Sequence, residues 1–412
     1  MSILPGNDAL NIQSTDSRRA GLTLALCFCA AIIEGIDLQS MGIAASAIAA
    51  EFHLPTQALR SVLTASPLGL FFGAFLGGRA ADAWGRRTAL IASIIVFGIF
   101  QLATPWAPGY SGMVVIRFLC GLGLGGAFPN LIALTAEASG GRNNILNVVI
   151  TAAGMPAGGA LAAFIAFAGG PTGDWRVIFY VGGIAPLVLA PIMAALLPES
   201  SLFQTARSSA RANLGVFYTL FDRARVRQTL LLWVAFFCSA LMLHLLLNWM
   251  PSLMVAKGFT KPQSFLIQMV FNLASAAGSI GVAWIMQVRP SRVLLLLCYA
   301  GLAVALFIIA ALGRDLVLVA STAGVLGICL IGAQFTLYGL TPTYYETMTR
   351  GTGTGASVAA SRLGSAMGPY LAGLLLGAGA TATQVLQSLL PITAVAALAA
   401  LILMFLPRPL EL

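Results

Sequence analysis

The chain has 412 residues, of which 59% are hydrophobic and only 8% charged, with a net charge of +9. Soluble domains carry about 25% charged residues, so a water-soluble globular fold is excluded. The apolar sequence comes in continuous runs long enough to cross a hydrocarbon core of about 30 Å, which also excludes the alternating pattern of a β-barrel.

Twelve runs are predicted as transmembrane helices: 20–44, 61–82, 88–105, 111–138, 146–169, 177–197, 229–250, 265–286, 292–312, 316–344, 354–378 and 384–406. The fold class is therefore all-α and polytopic. The longest polar connection follows the sixth run, which divides the chain into a segment 1–19, a six-helix bundle 20–197, a linker 198–228, a second bundle 229–406 and a tail 407–412. Two six-helix pseudo-repeats with a site between them near the midplane are an arrangement of secondary transporters. If the N-terminus is cytoplasmic, five of the 22 Lys and Arg fall outside (60, 176, 257, 261, 314), two lie within runs (117, 362) and the other fifteen face the cytoplasm. This positive-inside bias places both termini in the cytoplasm and assigns the basic loops to topology, not to nucleic acid. The first run is too long for a signal-peptide core and lacks a small-residue cleavage site, so the N-terminus is expected to be retained. The cysteines at 27, 29, 120, 238, 298 and 329 lie in apolar runs with no zinc or haem spacing and read as packing residues.

In the first run, "CFCAAIIEGIDLQSMG" (27–42) carries Glu34 and Asp37. Positions i and i+3 share a helix face, so both acids are expected to face a central cavity. Two carboxylates side by side in low dielectric do not both ionise readily, so one can take and release a proton. At 1.5 Å per residue Glu34 lies about 21 Å up from the cytoplasmic start. Arg117, on the antiparallel fourth run, lies at about the same height. Glu34, Asp37 and Arg117 are the candidate proton-coupling group, because intramembrane ionisable residues are functional by default.

After the second run comes "GGRAADAWGRR" (77–87), where Gly is expected to permit a tight turn and Asp82 to face a neighbouring helix N-terminus. The fourth run holds "RFLCGLGLGGAFPN" (117–130), in which Gly121, Gly123 and Gly126 satisfy a G-x-G-x-x-G pattern. No strand precedes them, so they read as helix-packing glycines and not as a dinucleotide loop. "GTGTGA" (351–356) lacks the lysine of a phosphate-binding loop. Glu137 with Arg142, and Glu346 with Arg350, occupy equivalent positions in the two halves and read as inner-gate charge clusters.

The seventh run is the repeat counterpart of the first. Its "LMLHLLLNWMP" (241–251) sets His244 and Asn248 four apart on one face, with Trp249 beside them as a cavity or interfacial residue. Asn272 on the eighth run, Gln334 and Tyr338 on the tenth, and Arg362 on the eleventh complete the candidate substrate set. Arg362 lies about 12 Å in from the cytoplasmic face and suits a carboxylate by its bidentate geometry. "GSAMGPYLAG" (364–373) resembles the Gly-Pro hinge of antiporters but sits on the eleventh run, and the fifth has only "GMPAGGA".

The loop at 77–87 resembles the cytoplasmic signature of the major facilitator superfamily through Gly78, Asp82, Gly85, Arg86 and Arg87, with Ala83 where a basic residue is usual. By that resemblance these five residues form a gate latch for the outward-facing state. "EGIDLQSMGIAA", "RFLCGLGLGGAFPNLIALTAEA", "LLNWMPSLM" and "RGTGTGASVAASRLGSAMGP" together resemble the aromatic acid:proton symporters of that superfamily, over nearly the whole chain. Glu34, Gly35 and Asp37 match that family's helix-one motif, and Arg350 and Arg362 its paired arginines. The departures are the eroded second-half loop "WIMQVRPSR", "GRNNILN" after the fourth run, and His244 where relatives often have Tyr. The resemblance implies a bacterial inner-membrane protein, acting as a monomer, that takes up a small aromatic carboxylate with protons and no other cofactor. The rivals are an exporter of the same fold and a non-transporting sensor. An enzyme is not expected, since no nucleophile–base pair or metal cluster appears.

Overall fold

The fold is that of a computed structural model in which residues 7–139, 144–170, 173–199, 225–288, 291–345 and 350–406 are described. Among these residues there are twelve long helices: α1 (Asn7–Glu51), α2 (Thr56–Trp84), α3 (Arg86–Ala103), α4 (Gly109–Ser139), α5 (Asn144–Ala168), α6 (Arg176–Leu196), α7 (Val226–Ala256), α8 (Lys261–Val288), α9 (Ser291–Ala311), α10 (Leu316–Leu340), α11 (Arg350–Gly377) and α12 (Ala382–Phe405). Short 3₁₀ turns follow α3 and α10. Eleven of the twelve are long and apolar enough to cross a membrane; α11, broken up by Arg362 and by its glycines and serines, is not among them.

The packing has a pseudo-twofold order. Within the first half α1 packs on α5 and α6, α2 on α4, and α3 on α4 and α6. Adding six to each number gives the pairs of the second half: α7 with α11 and α12, α8 with α10, and α9 with α10 and α12. The halves meet through α5 on α8, α2 on α11, and α1 on α7. Small residues permit these approaches, as in membrane bundles where close backbone contact replaces the hydrophobic drive. A Cβ on Gly35 would run into the Met155 backbone, fixing α1 against α5. One on Gly364 would meet the Phe237 backbone, fixing α11 against α7. The glycines of the fourth run do pack helices: Gly121 lies on the Ser66 backbone and Gly126 on Gly77.

The α2–α3 turn rests on Gly85 alone, whose φ of +96° suits glycine. Gly78, the first glycine of the matched pattern, lies inside α2, and a Cβ there would touch nothing within 4 Å.

Candidate functional site

The end of the bundle that holds the start of α1 and the end of α12 is called the terminal face. Near mid-height in the first half, α1, α3 and α4 bring together a closed polar cluster. Arg117 Nη1 donates to Asp37 Oδ1 at 3.1 Å and to Gln101 Oε1 at 2.5 Å. The Cys120 thiol lies 3.3 Å from Asp37 Oδ1. Gln101 Nε2 in turn donates to Ser40 Oγ at 3.3 Å, and Ser40 Oγ to the Ile36 carbonyl at 2.6 Å. The guanidinium also lies 5.8 Å from the centroid of the Phe179 ring on α6. Asp37 is 0% and Arg117 1% exposed. An ion pair so placed is held less by its mutual attraction than by the cost of leaving either member alone.

Glu34 does not join this cluster. It is 1% exposed, and neither carboxyl oxygen has a hydrogen-bond partner. The expected acid pair is therefore split: Asp37 is bound to Arg117, and Glu34 lies one turn nearer the terminal face with different neighbours. Neither acid lines the central cavity, contrary to the sequence expectation. Their α1 neighbours Gly35, Leu38 and Gln39 do so instead. The offset of three residues leaves about 60° between the two side chains, enough to send them to different partners.

The cavity lies between the halves and has a volume of about 100 Å³. Its polar groups are Gln39, His244, Asn272, Ser275, Gln334, Ser361 and Arg362, and its aromatic wall comprises Phe128, Phe271, Phe335 and Tyr338. Arg362 is 9% exposed, so it is buried in the bundle and does not reach out to the interface; its Nε has no partner. His244 Nδ1 lies 3.0 Å from the Ala240 carbonyl, and Gln334 Nε2 donates to Ser361 Oγ at 3.3 Å. The Tyr338 ring packs edge-on against Phe236, centroids 5.2 Å apart. His244, Asn272, Gln334, Tyr338 and Arg362 thus meet at one cavity.

Two predicted members do not. Asn248 turns its amide back to the His244 carbonyl at 2.9 Å and is not in the wall. Trp249 is 2% exposed and donates to the Pro369 carbonyl at 3.0 Å, so it ties α7 to the proline of α11 and is neither a cavity nor an interfacial residue. Sequence reasoning missed Gln39, which crosses between the halves. Its amide exchanges two hydrogen bonds of 2.7 Å with Asn272 and accepts a third, also 2.7 Å, from Gln268 Nε2. A polar residue two positions after Asp37 was the available signal. It also missed Gln101 and Cys120, the latter read as packing alone.

Above this clasp the halves are shut. Gly42 of α1 lies on the backbone of Leu247 and Asn248, and the Arg60 guanidinium stacks 4.5 Å from the Tyr370 ring, joining α2 to α11. Toward the terminal face a second cavity of about 440 Å³ adjoins the first, sharing Phe128, Phe335, Tyr338 and Arg362. The free space thus opens toward the terminal face.

The gating residues divide. Arg86 pairs with Glu137, and Arg87 Nη2 donates to the Ala194 carbonyl. The Arg87 backbone N–H donates to Glu199 Oε1 at 3.0 Å, and the same carboxylate lies against Gly85. These contacts tie α3 to α4 and to the end of α6, all inside the first half. Glu137, expected beside Arg142, pairs with Arg86. Arg142 and Glu346 lie outside the described residues, as do the side chains of Asp82 and Arg350.

A family profile described as the Major Facilitator Superfamily matches residues 27–356. The chain is 39% identical over 397 residues to the 3-(3-hydroxy-phenyl)propionate transporter of Escherichia coli (strain K12), covering 95% of this chain and 96% of that one. It is 30% identical over 408 residues to the 4-hydroxybenzoate transporter PcaK of Pseudomonas putida, covering 92% and 91%. Over 385 residues it is 30% identical to the gallate transporter of the same species, covering 87% and 86%. Among solved structures, the D-xylose-proton symporter superposes with a TM-score of 0.75 at 15% identity, over 93% of this chain and 97% of that one.

Proposed function

The chain belongs to the major facilitator superfamily, a family of multi-pass membrane transporters and not of enzymes, and from that premise we propose that it takes up a small aromatic monocarboxylate together with protons. The observation that carries this reading is the cavity wall: one arginine, Arg362, set among aromatic side chains and amides between the two halves. Arginine suits a carboxylate by its planar fork, and the rings of Phe128, Phe271, Phe335 and Tyr338 suit a flat apolar body. His244, Asn272 and Gln334 offer donors and acceptors for ring hydroxyls. The relatives' substrates, hydroxyphenylpropionate, hydroxybenzoate and gallate, have this chemistry.

A cavity of about 150 Å³ holds benzene, so about 100 Å³ is too little for a substituted ring with its side chain. The substrate therefore also uses the adjoining space toward the terminal face. With the positive-inside rule placing that face in the cytoplasm, the arrangement is the inward-facing one, in a bacterial inner membrane and acting as a monomer. Asp37, Arg117 and Glu34 supply the coupling to protons, the only accessory species required. Substrate and proton together bias the rocking of the halves.

The test is uptake of labelled 3-(3-hydroxyphenyl)propionate and 4-hydroxybenzoate into proteoliposomes, with and without an inward proton gradient. Gradient-dependent accumulation is expected, abolished by Asp37→Asn, with apparent affinity weakened by Arg362→Ala. Undiminished accumulation in Asp37→Asn, or binding without flux in the wild type, would overturn the reading.

A further inference from the structure

Three side-chain amides join the two halves at the head of the small cavity. Gln39 of α1 meets Gln268 and Asn272 of α8, which stand four residues apart on one face of that helix. All three are buried. Gln39 Nε2 donates to Asn272 Oδ1, and Gln39 Oε1 accepts from Asn272 Nδ2 and from Gln268 Nε2, each at 2.7 Å. Asn272 Nδ2 gives its second hydrogen to the Gln268 carbonyl at 2.9 Å. Gly159 clears the way: it lies on α5, which packs on both α1 and α8, and a Cβ there would overlap the Gln39 amide. A primary amide has two N–H donors and two acceptor lone pairs. Among the described residues these bonds use both lone pairs of Gln39 Oε1 and both hydrogens of Asn272 Nδ2. They leave one hydrogen on Gln39 Nε2 and one lone pair on Asn272 Oδ1, on atoms 2.7 Å apart, one from each half. Gln39 and Asn272 line the cavity, and Gln268 does not.

We infer that the Gln39–Asn272 pair reads a ring hydroxyl of the substrate and makes closure of the side away from the terminal face depend on it. This deepens the proposed function and rests on it. A hydroxyl is both donor and acceptor. It can accept the remaining hydrogen of Gln39 Nε2 and donate its own to Asn272 Oδ1, adding a second bridge between α1 and α8 beside the one already there. The small cavity, of about 100 Å³, admits the hydroxylated edge of the ring. The rest of the ring lies along Phe128, Phe335 and Tyr338, and the carboxylate reaches Arg362; all four residues line both cavities. When the carrier opens to the other side, α1 and α8 part here and water meets the amides. A hydroxyl that bonds both helices only when they are together favours the closed arrangement by that difference. An acid without the hydroxyl fits the same walls but leaves a buried donor and acceptor unmatched, and a site built to bond a hydroxyl discriminates against the analogue that lacks it.

The experiment compares initial uptake of 3-(3-hydroxyphenyl)propionate, 3-phenylpropionate and 3-(3-fluorophenyl)propionate into proteoliposomes under an inward proton gradient, below KM, so that the rates report kcat/KM. In the wild type the hydroxylated acid should be faster than the unsubstituted one by about tenfold, the effect of one buried hydrogen-bonding group left unmatched. The fluorinated acid, similar in size to the hydroxylated one but with no hydrogen to donate, should behave as the unsubstituted acid. Gln39→Met and Asn272→Leu should each bring the ratio close to one, chiefly by slowing the hydroxylated acid. Gln268→Leu, which loosens the clasp from outside the cavity, should slow both acids and keep the ratio. A wild-type ratio near one, a fluorinated acid as fast as the hydroxylated one, or a ratio that survives in Gln39→Met would overturn the inference while leaving aromatic-acid transport intact. So would a ratio lost equally in Gln268→Leu, since the clasp would then act through packing alone. A wild type that accumulates none of the three acids would overturn the proposed function itself. If the variants do not fold, the three wild-type rates still decide.

Discussion

Asp37 is held at one oxygen by Arg117 and Cys120, and its other oxygen has no partner. Removing one member of such a pair strands the other charge, at a cost of about 3–5 kcal/mol. Arg117→Met should therefore lower the thermal unfolding temperature in detergent strongly. Asp37→Asn combined with Arg117→Met should recover most of that loss, and equal loss in the single and double variants would contradict the account. The pairing itself was legible in the sequence, because two antiparallel helices with charges at equal height in hydrocarbon have few other ways to satisfy them. The different fate of Glu34 was not. Position i and i+3 arguments assign a face, but the partner on that face comes from another helix whose rotation the sequence does not specify. Likewise Gln39 and Asn272 stand 233 residues apart, and no local spacing relates them.

The helices were read from apolar runs with fair success, because a bilayer span leaves the backbone no alternative to internal hydrogen bonding. Their ends were less legible. α1 extends from Asn7 to Glu51 against an apolar run of 20–44, since a helix continues past the point where its side chains cease to be apolar. The pattern 77–87 placed a turn correctly, and the reversal falls on Gly85. At the scale of elements the test is one of glycine contact. Gly35→Ala would push a methyl group into the Met155 backbone and should reduce folded yield severalfold, whereas Gly78→Ala meets nothing and should leave both yield and transport near wild type. Size-exclusion chromatography of the purified variants measures the difference. Glu199→Gln weakens the acceptor for the first turn of α3 and should lower the unfolding temperature by a few degrees, since a helix-capping interaction contributes about 1 kcal/mol.

For the whole molecule, the pairing of helices in the second half repeats that of the first, and the two meet along α1–α7, α2–α11 and α5–α8. The shut side depends on Gly42 lying against α7 and on the Gln39–Asn272 clasp. Gly42→Leu should wedge α1 away from α7 and hold that side apart. Uptake is expected to fall at least tenfold, and a cysteine introduced by Val358→Cys, on the wall of the larger cavity, should lose labelling by a water-soluble thiol reagent. Unchanged labelling would mean that the two sides are not mechanically linked. Six-plus-six organisation was legible from the polar linker. The direction in which the bundle opens was not, because the same sequence must support both states.

α11 has a consequence for how the protein is made. It is the long helix that composition alone would not commit to hydrocarbon, and an arginine at the centre of an inserting segment costs about 2.5–3.5 kcal/mol at the translocon. Its lodging places are α7 and α2, both synthesised earlier, so α11 enters a membrane in which its docking surfaces already wait. Arg362→Leu should accordingly improve insertion of an isolated α11 segment in a glycosylation-mapping assay while removing the charge proposed to hold the substrate carboxylate. Biogenesis and activity then pull on the same residue in opposite directions, and the chain retains the sequence that inserts less well.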